Sequence, residues 1–141
     1  MFVADIMTAK VVTVGVEANL AELRATFELV NFRHLLVQQQ GKLLGVISDR
    51  DVARALSPFL ETEQERELDR QLLSRNVAEI MSKNLITVDE ETLIDSASIL
   101  LIENNISCLP VVDELSHIRG IVSWKDILQF HVYGVDTTVS A

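Results

Sequence analysis

Apolar positions along this chain switch between two periods, and the switching runs twice. Val11-Val12-Thr13-Val14 is a β-branched run that predicts a short strand. Leu20, Leu23, Phe27 and Val30 then recur at helical spacing on one face. Leu35 to Gln38 and Leu43 to Ile47 predict two strands around the turn Gln40-Gly41-Lys42, and Val52 and Leu56 mark a short closing helix. The second pass begins with Leu85-Ile86-Thr87-Val88 and continues with Ile94, Ala97 and Leu101 on a helical face. Ile99, Leu100 and Ile102 widen that face, so the second helix is expected to be the more buried. Leu109 to Val112 and Ile118 to Val122 flank Glu114-Leu115-Ser116-His117, and Ile127 and Phe130 close the series. The predicted order is β-α-β-β-α, twice, an α/β (α+β) fold.

The residues repeat as well as the pattern. Ala4-Asp5-Ile6-Met7-Thr8 returns as Ala78-Glu79-Ile80-Met81-Ser82, and Thr13-Val14 as Thr87-Val88. Gly45-Val46-Ile47-Ser48-Asp49-Arg50-Asp51 returns as Gly120-Ile121-Val122-Ser123-Trp124-Lys125-Asp126, with one extra residue absorbed in the preceding turn. A duplicated unit implies an approximate two-fold relation and two related sites. The expected division is a first unit over 1–56, a charged connector over 57–76, a second unit over 77–133 and a flexible tail over 134–141. In the connector, Pro58 sits where a helix could start, and Glu63 with Arg66 and Glu67 with Arg70 stand at pairing distance on a helix.

Composition narrows the function. At 48% apolar the chain is globular, and no apolar run reaches the length of a membrane span. A formal net charge of −9 without any Lys/Arg run disfavours nucleic acid and anionic membrane as partners. The N-terminus lacks a signal-peptide pattern and Cys108 stands alone, which together suit a reducing cytoplasm. His34, His117 and His131 are scattered without metal-ligand spacing, and no P-loop or nucleophile-base arrangement is present, so neither a metal site nor a catalytic residue is expected. Cys108 reads as a buried structural thiol.

The candidate chemistry lies in Gly-x-x-Ser-x-x-Asp, which ends the last strand of both copies. Gly45 and Gly120 would let a ligand approach the backbone. Ser48 and Ser123 offer hydroxyls to a phosphate, and the following helix start favours an anion. Asp51 and Asp126 could accept from the paired hydroxyls of a ribose. Arg50, Arg54, Arg33 and Lys125 could supply local positive charge. The same Ser-x-x-Asp spacing is also a capping-box pattern, which on spacing alone is the better reading.

Taken as a set, these motifs resemble the cystathionine-β-synthase (CBS) domain, and the two copies resemble a stand-alone tandem pair, or Bateman module, over residues 3 to 131. Arg33-His34-Leu35-Leu36-Val37 and Leu109-Pro110-Val111-Val112-Asp113 carry the resemblance beside the closing motif. It implies two units related by a pseudo-two-fold axis, with clefts between them that hold adenosyl ligands such as AMP, ADP, ATP or S-adenosylmethionine. It implies that Asp51 and Asp126 bind ribose and that Ser48 and Ser123 contact ribose or phosphate. It places Val12, Thr13, Ile86, Thr87, His34 and Cys108 along the adenine. It further implies a homodimer, no required cofactor and a regulated protein that the sequence does not name.

The chain departs from the family at three places. Leu36 replaces a proline, which is expected to loosen the start of that strand. Trp124 replaces Asp49 of the first copy. Ser107 and Cys108 replace Arg33 and His34, so the two sites are expected to differ, with the first the better anion binder. The resulting expectation is a non-enzymatic regulatory module that binds an adenine nucleotide. The alternatives are a ligand-free dimerisation adaptor and an accessory subunit of an enzyme or transporter.

Overall fold

A computed structural model describes residues 1–134 of the 141. The expected tail, apart from Gly134, lies outside the described residues. The chain divides into two compact units, Val12–Leu85 on one side and Met1–Val11 with the chain from Ile86 onward on the other.

The Val12–Leu85 unit contains β1 (Thr13–Gly15), α1 (Leu20–Leu29), β2 (His34–Gln39), β3 (Lys42–Ser48), α2 (Asp49–Ala55), α3 (Glu67–Gln71) and α4 (Val77–Ile80). Asn19 starts α1, its side-chain oxygen accepting the Glu22 N–H at 2.9 Å. β1 runs parallel to β2, and β2 antiparallel to β3. The hairpin turns on Gln40 and Gly41, at φ 54° and 80°, the left-handed pair that matches strand twist. Leu20, Leu23, Leu35, Val37, Ile47, Val52 and Val77 form its core.

The other unit is built from two stretches of chain. Its elements are a 3-10 turn at Val3–Asp5, α5 (Ile94–Asn104), β4 (Cys108–Val112), β5 (Ile118–Ser123) and α6 (Trp124–Tyr133). β4 and β5 are antiparallel. The Asp113 carboxylate organises their turn, accepting the N–H groups of Leu115 and His117, each at 2.9 Å. Those bonds, the His117 one foremost, hold its carboxyl below the usual range. Val3 joins Ile94, Ala97, Leu101, Leu109, Val111, Val122 and Ile127 in the core.

Repeats and compact units are therefore offset. Val3 and Val77 hold equivalent places in the two repeats, and each is fully buried in a core whose strands come from the other repeat. The opening segment is held by Val3 N–H to Thr92 O at 2.7 Å and by Ile94 N–H to Met1 O at 3.2 Å. Its counterpart is held by Val77 N–H to Ala18 O at 2.8 Å and by Leu20 N–H to Arg75 O at 2.9 Å. Burying each valine contributes about 1.5–3 kcal/mol, so each sheet depends on a segment distant in sequence.

Several expectations need correction. Leu85 to Val88 is not a regular strand; Val88 makes only an isolated parallel bridge to Val111. In the first repeat Leu36 donates its N–H to Val12 O at 3.4 Å, a rung that Pro110 cannot supply. Leu36 thus supplies a backbone donor between β2 and the start of β1 that a proline at this position would lack. α5 does bury more residues than α1, with Ile94, Ala97 and Leu101 against Leu20 and Leu23, but Ile99 and Ile102 do not widen its buried face, being 52% and 79% exposed. In the connector, α-helix covers only Glu67–Gln71, followed by a 3-10 turn at Leu72–Ser74, and Arg70 pairs with Glu65 at 3.3 Å and Arg24 with Glu61 at 3.1 Å in place of the expected pairs. Asp69 sets that start. It accepts the Ser57 hydroxyl at 2.6 Å and the Arg66 N–H at 2.7 Å, and the Ser57 bond foremost lowers its pKa.

Candidate functional site

In both units the last strand ends in a serine that caps the next helix. Ser48 Oγ accepts the Asp51 N–H at 3.1 Å, and the Ser48 N–H donates to Asp51 Oδ2 at 2.9 Å. Ser123 Oγ accepts the Asp126 N–H at 3.2 Å, while the Ser123 N–H and hydroxyl reach Asp126 Oδ2 at 2.8 and 3.1 Å. Both capping boxes are complete. Each aspartate uses Oδ2 on its own helix start, which leaves Oδ1 as the oxygen a further donor can address.

The glycines of the motif serve a different purpose from the one expected. A Cβ on Gly45 would overlap Met81 Sδ and lie 2.8 Å from Met81 Cγ. A Cβ on Gly120 would lie 2.8 Å from the Thr8 carbonyl oxygen and 2.9 Å from Met7 Sδ. The space a ligand was expected to use beside these glycines holds the Ile-Met-Ser/Thr segment. The two repeated motifs are therefore crossed partners, Met7 with Gly120 and Met81 with Gly45.

Around Ser48 the sheet gathers most of the first set of residues. His34 stands opposite Ser48 in the β2–β3 register, and the Arg33 carbonyl accepts the Asp49 N–H at 3.0 Å. Burial holds the half-buried His34 imidazole below its ordinary pKa, against the raising influence of Asp49 and Asp51, and Arg33 lowers it further. Arg33 and Arg50 are exposed, Arg50 in the first turn of α2. Thr13 is exposed on β1 and pairs with Leu36, two residues along β2 from His34.

The second set is sparser in charge. Cys108 stands opposite Ser123, and the Ser107 carbonyl accepts the Trp124 N–H at 3.2 Å, repeating the Arg33–Asp49 bond. Burial pushes the Cys108 thiol up to about 12, which makes it a poor nucleophile. Lys125 and Thr87 are exposed, and Trp124 is 58% exposed, outside the core of its unit. The sequence reasoning overlooked Thr8, whose hydroxyl donates to Asp126 Oδ1 at 3.5 Å across 118 positions. Its signal was the recurrence of Ile-Met-Thr/Ser together with the glycine motif. Among the described residues no group of three or more His, Cys, Asp or Glu could hold a metal ion, and no helix is long and apolar enough to cross a membrane.

Comparison with known proteins agrees with this arrangement. A family model for the CBS domain matches residues 3–58 and 77–133. The chain belongs to the CBS domain family, as a tandem pair. It is 32% identical over 126 residues to an L-aspartate semialdehyde sulfurtransferase of Methanocaldococcus jannaschii, covering 89% of this chain and 22% of that protein. It is 28% identical over 130 residues to a CBS domain-containing protein of Dictyostelium discoideum, covering 91% of this chain and 89% of that one. Among solved structures it resembles a CBS domain pair crystallised with 5′-methylthioadenosine and S-adenosyl-L-methionine. That match has a TM-score of 0.76 and 28% identity, and covers 94% of this chain and 96% of that one.

Proposed function

We propose that this CBS pair is a non-enzymatic regulatory module that binds an adenosyl ligand, AMP, ADP, ATP or S-adenosylmethionine. The observation that carries the reading is the pair of equivalent serine–aspartate helix starts, in a chain similar to a CBS pair that holds two adenosyl compounds. Asp51 and Asp126 accept ribose hydroxyls through Oδ1. Ser48 and Ser123 stand beside the ribose or phosphate. Arg33, Arg50 and His34 serve the anion at the first motif, and Lys125 at the second. Thr13 and Thr87 flank the adenine. A ligand that prefers one conformation shifts the population toward it, and a regulated protein reads the change. A homodimer and a cytoplasmic location complete the proposal.

One observation favours the rival adaptor reading: both serine–aspartate pairs form complete capping boxes, a structural role that would account for them by itself. Thermal shift separates the two. A ligand bound only by the folded chain at a hundredfold excess over Kd adds about 2.7 kcal/mol of stability. AMP, ADP, ATP and S-adenosylmethionine should raise the melting temperature more than GTP does. Equal shifts, or none, would support the adaptor.

A further inference from the structure

We propose that Thr8 is a specificity-determining residue of the Ser123/Asp126 motif, because its hydroxyl competes with a ribose for Asp126 Oδ1. This rests on the reading of the two aspartates as ribose acceptors. Ser123 occupies Oδ2 with both its N–H and its hydroxyl, so Oδ1 is the oxygen a ribose must take, and Thr8 Oγ1 lies 3.5 Å from it.

Thr8 is held in place. Its N–H donates to Ile121 O at 2.8 Å and its carbonyl accepts the Ile121 N–H at 2.9 Å, two residues before Ser123. Met7 beside it fills the space at Gly120. Threonine is β-branched and stiff at χ1, so the hydroxyl of this half-buried residue stays near the carboxylate.

The other unit repeats the backbone geometry without that bond. Ser82 pairs with Val46 in both directions, at 2.9 and 3.1 Å, again two residues before the capping serine. Ser82 is exposed and lacks the γ-methyl that restricts Thr8. Among the described residues it makes no bond to Asp51, whose Oδ2 takes the Ser48 N–H. A ribose therefore meets a free acceptor at Asp51 and a contested one at Asp126. A bond as long as 3.5 Å is weak, so the handicap is about two- to fivefold in affinity, a tuning effect and not a block.

The test is calorimetric titration of the full chain with AMP, using Asp51→Ala to isolate the second motif. Adding Thr8→Val should tighten AMP about two- to fivefold, and Thr8→Ser should do so less. In an Asp126→Ala background, Ser82→Thr should weaken AMP at the first motif. Weaker or unchanged binding with Thr8→Val would overturn the inference while leaving the ribose reading in place. The ligand-free protein gives an independent readout. The Asp126 side-chain carboxyl 13C resonance should move in Thr8→Val, and an unmoved resonance would also overturn the inference. Failure of the wild-type chain to bind AMP, ATP or S-adenosylmethionine would overturn the ribose reading and this inference together.

Discussion

Met81 fills the space that a side chain on residue 45 would need, and Met7 does the same for residue 120. Each pair joins the opening motif of one repeat to the closing motif of the other. The glycine is required by this close approach and not by its backbone angle. The opening segments thus lock against the sheets, and the same lock brings Thr8 to Asp126.

The two glycines should differ in what an alanine costs. At Gly45 the nearest obstacles are the thioether and Cγ of Met81, which can move, although the Ser82 carbonyl oxygen at 3.1 Å limits relief. At Gly120 the obstacle at 2.8 Å is the Thr8 carbonyl oxygen, fixed by its bond to Ile121. Gly120→Ala should cost about 3 kcal/mol and Gly45→Ala about 1–2 kcal/mol. Urea unfolding checks the order, and a double-mutant cycle of Gly45→Ala with Met81→Ala should show favourable coupling. Equal costs near zero would mean that the segments do not pack as described.

Asp51 carries two separable roles, and its variants should show both. Asp51→Ala removes the acceptor of the Ser48 N–H and should lower stability by about 0.5–2 kcal/mol. It should also weaken an adenosyl ligand about ten- to a hundredfold, the loss of charge-assisted bonds to ribose. Asp51→Asn, which keeps an acceptor oxygen, should do less harm to both. Calorimetry with parallel melting curves reads the two effects apart. A stability loss with unchanged affinity would reduce Asp51 to a cap.

Most of the fold was legible because it is local and repeated. The spacing of Leu20, Leu23 and Phe27 announced α1, and the hairpin followed from Gln40-Gly41 between apolar runs. The exchange of opening segments was hidden, since a sequence repeat shows which residues correspond but not which copy they pack against. Val3 and Val77 correspond whether or not they cross. The missing strand at Leu85 to Val88 turned on one absent N–H at Pro110, which strand propensity does not count. Exposure of Ile99 and Ile102 was also beyond periodicity, which ranks apolar faces without knowing how many are covered. At the candidate site, Ser48, Asp51 and His34 were legible as neighbours because one hairpin and the helix start that directly follows it carry them. Thr8 was not, because it reaches Asp126 only through the exchange.

His34 should make stability depend on pH. Its folded pKa lies below the ordinary 6.5, chiefly because burial opposes the charged ring, with Asp49 and Asp51 raising it and Arg33 lowering it. As pH falls through 6.5, the unfolded chain takes up a proton before the folded one does. The stabilisation from a neutral His34 is therefore complete above that pH and declines below it, until the folded imidazole also protonates. Urea midpoints from pH 7.5 to 5.0 should fall more in the wild type than in His34→Gln. Parallel profiles would show that other groups set the dependence.

Trp124 should report which motif a ligand occupies. It is the only tryptophan in the sequence, it begins α6 directly after Ser123, and it is 58% exposed. An exposed indole emits like a solvated one, and an adenine placed over it would shift and quench that emission, while stacking adds about 0.5–1.5 kcal/mol. Cationic Arg33 and Arg50 favour the first motif for a phosphorylated ligand, and one lysine with an aromatic ring favours the second for S-adenosylmethionine, whose sulfonium suits a π face. AMP at low concentration should therefore leave Trp124 emission nearly unchanged, with quenching only as the second motif fills. S-adenosylmethionine should quench from the first additions. In Asp126→Ala the AMP quenching should disappear while the early, silent binding phase stays in the calorimeter. Quenching by AMP that persists in Asp126→Ala and is lost in Asp51→Ala would mean that the tryptophan reads the other motif, and the assignment of Trp124 to the second would fall.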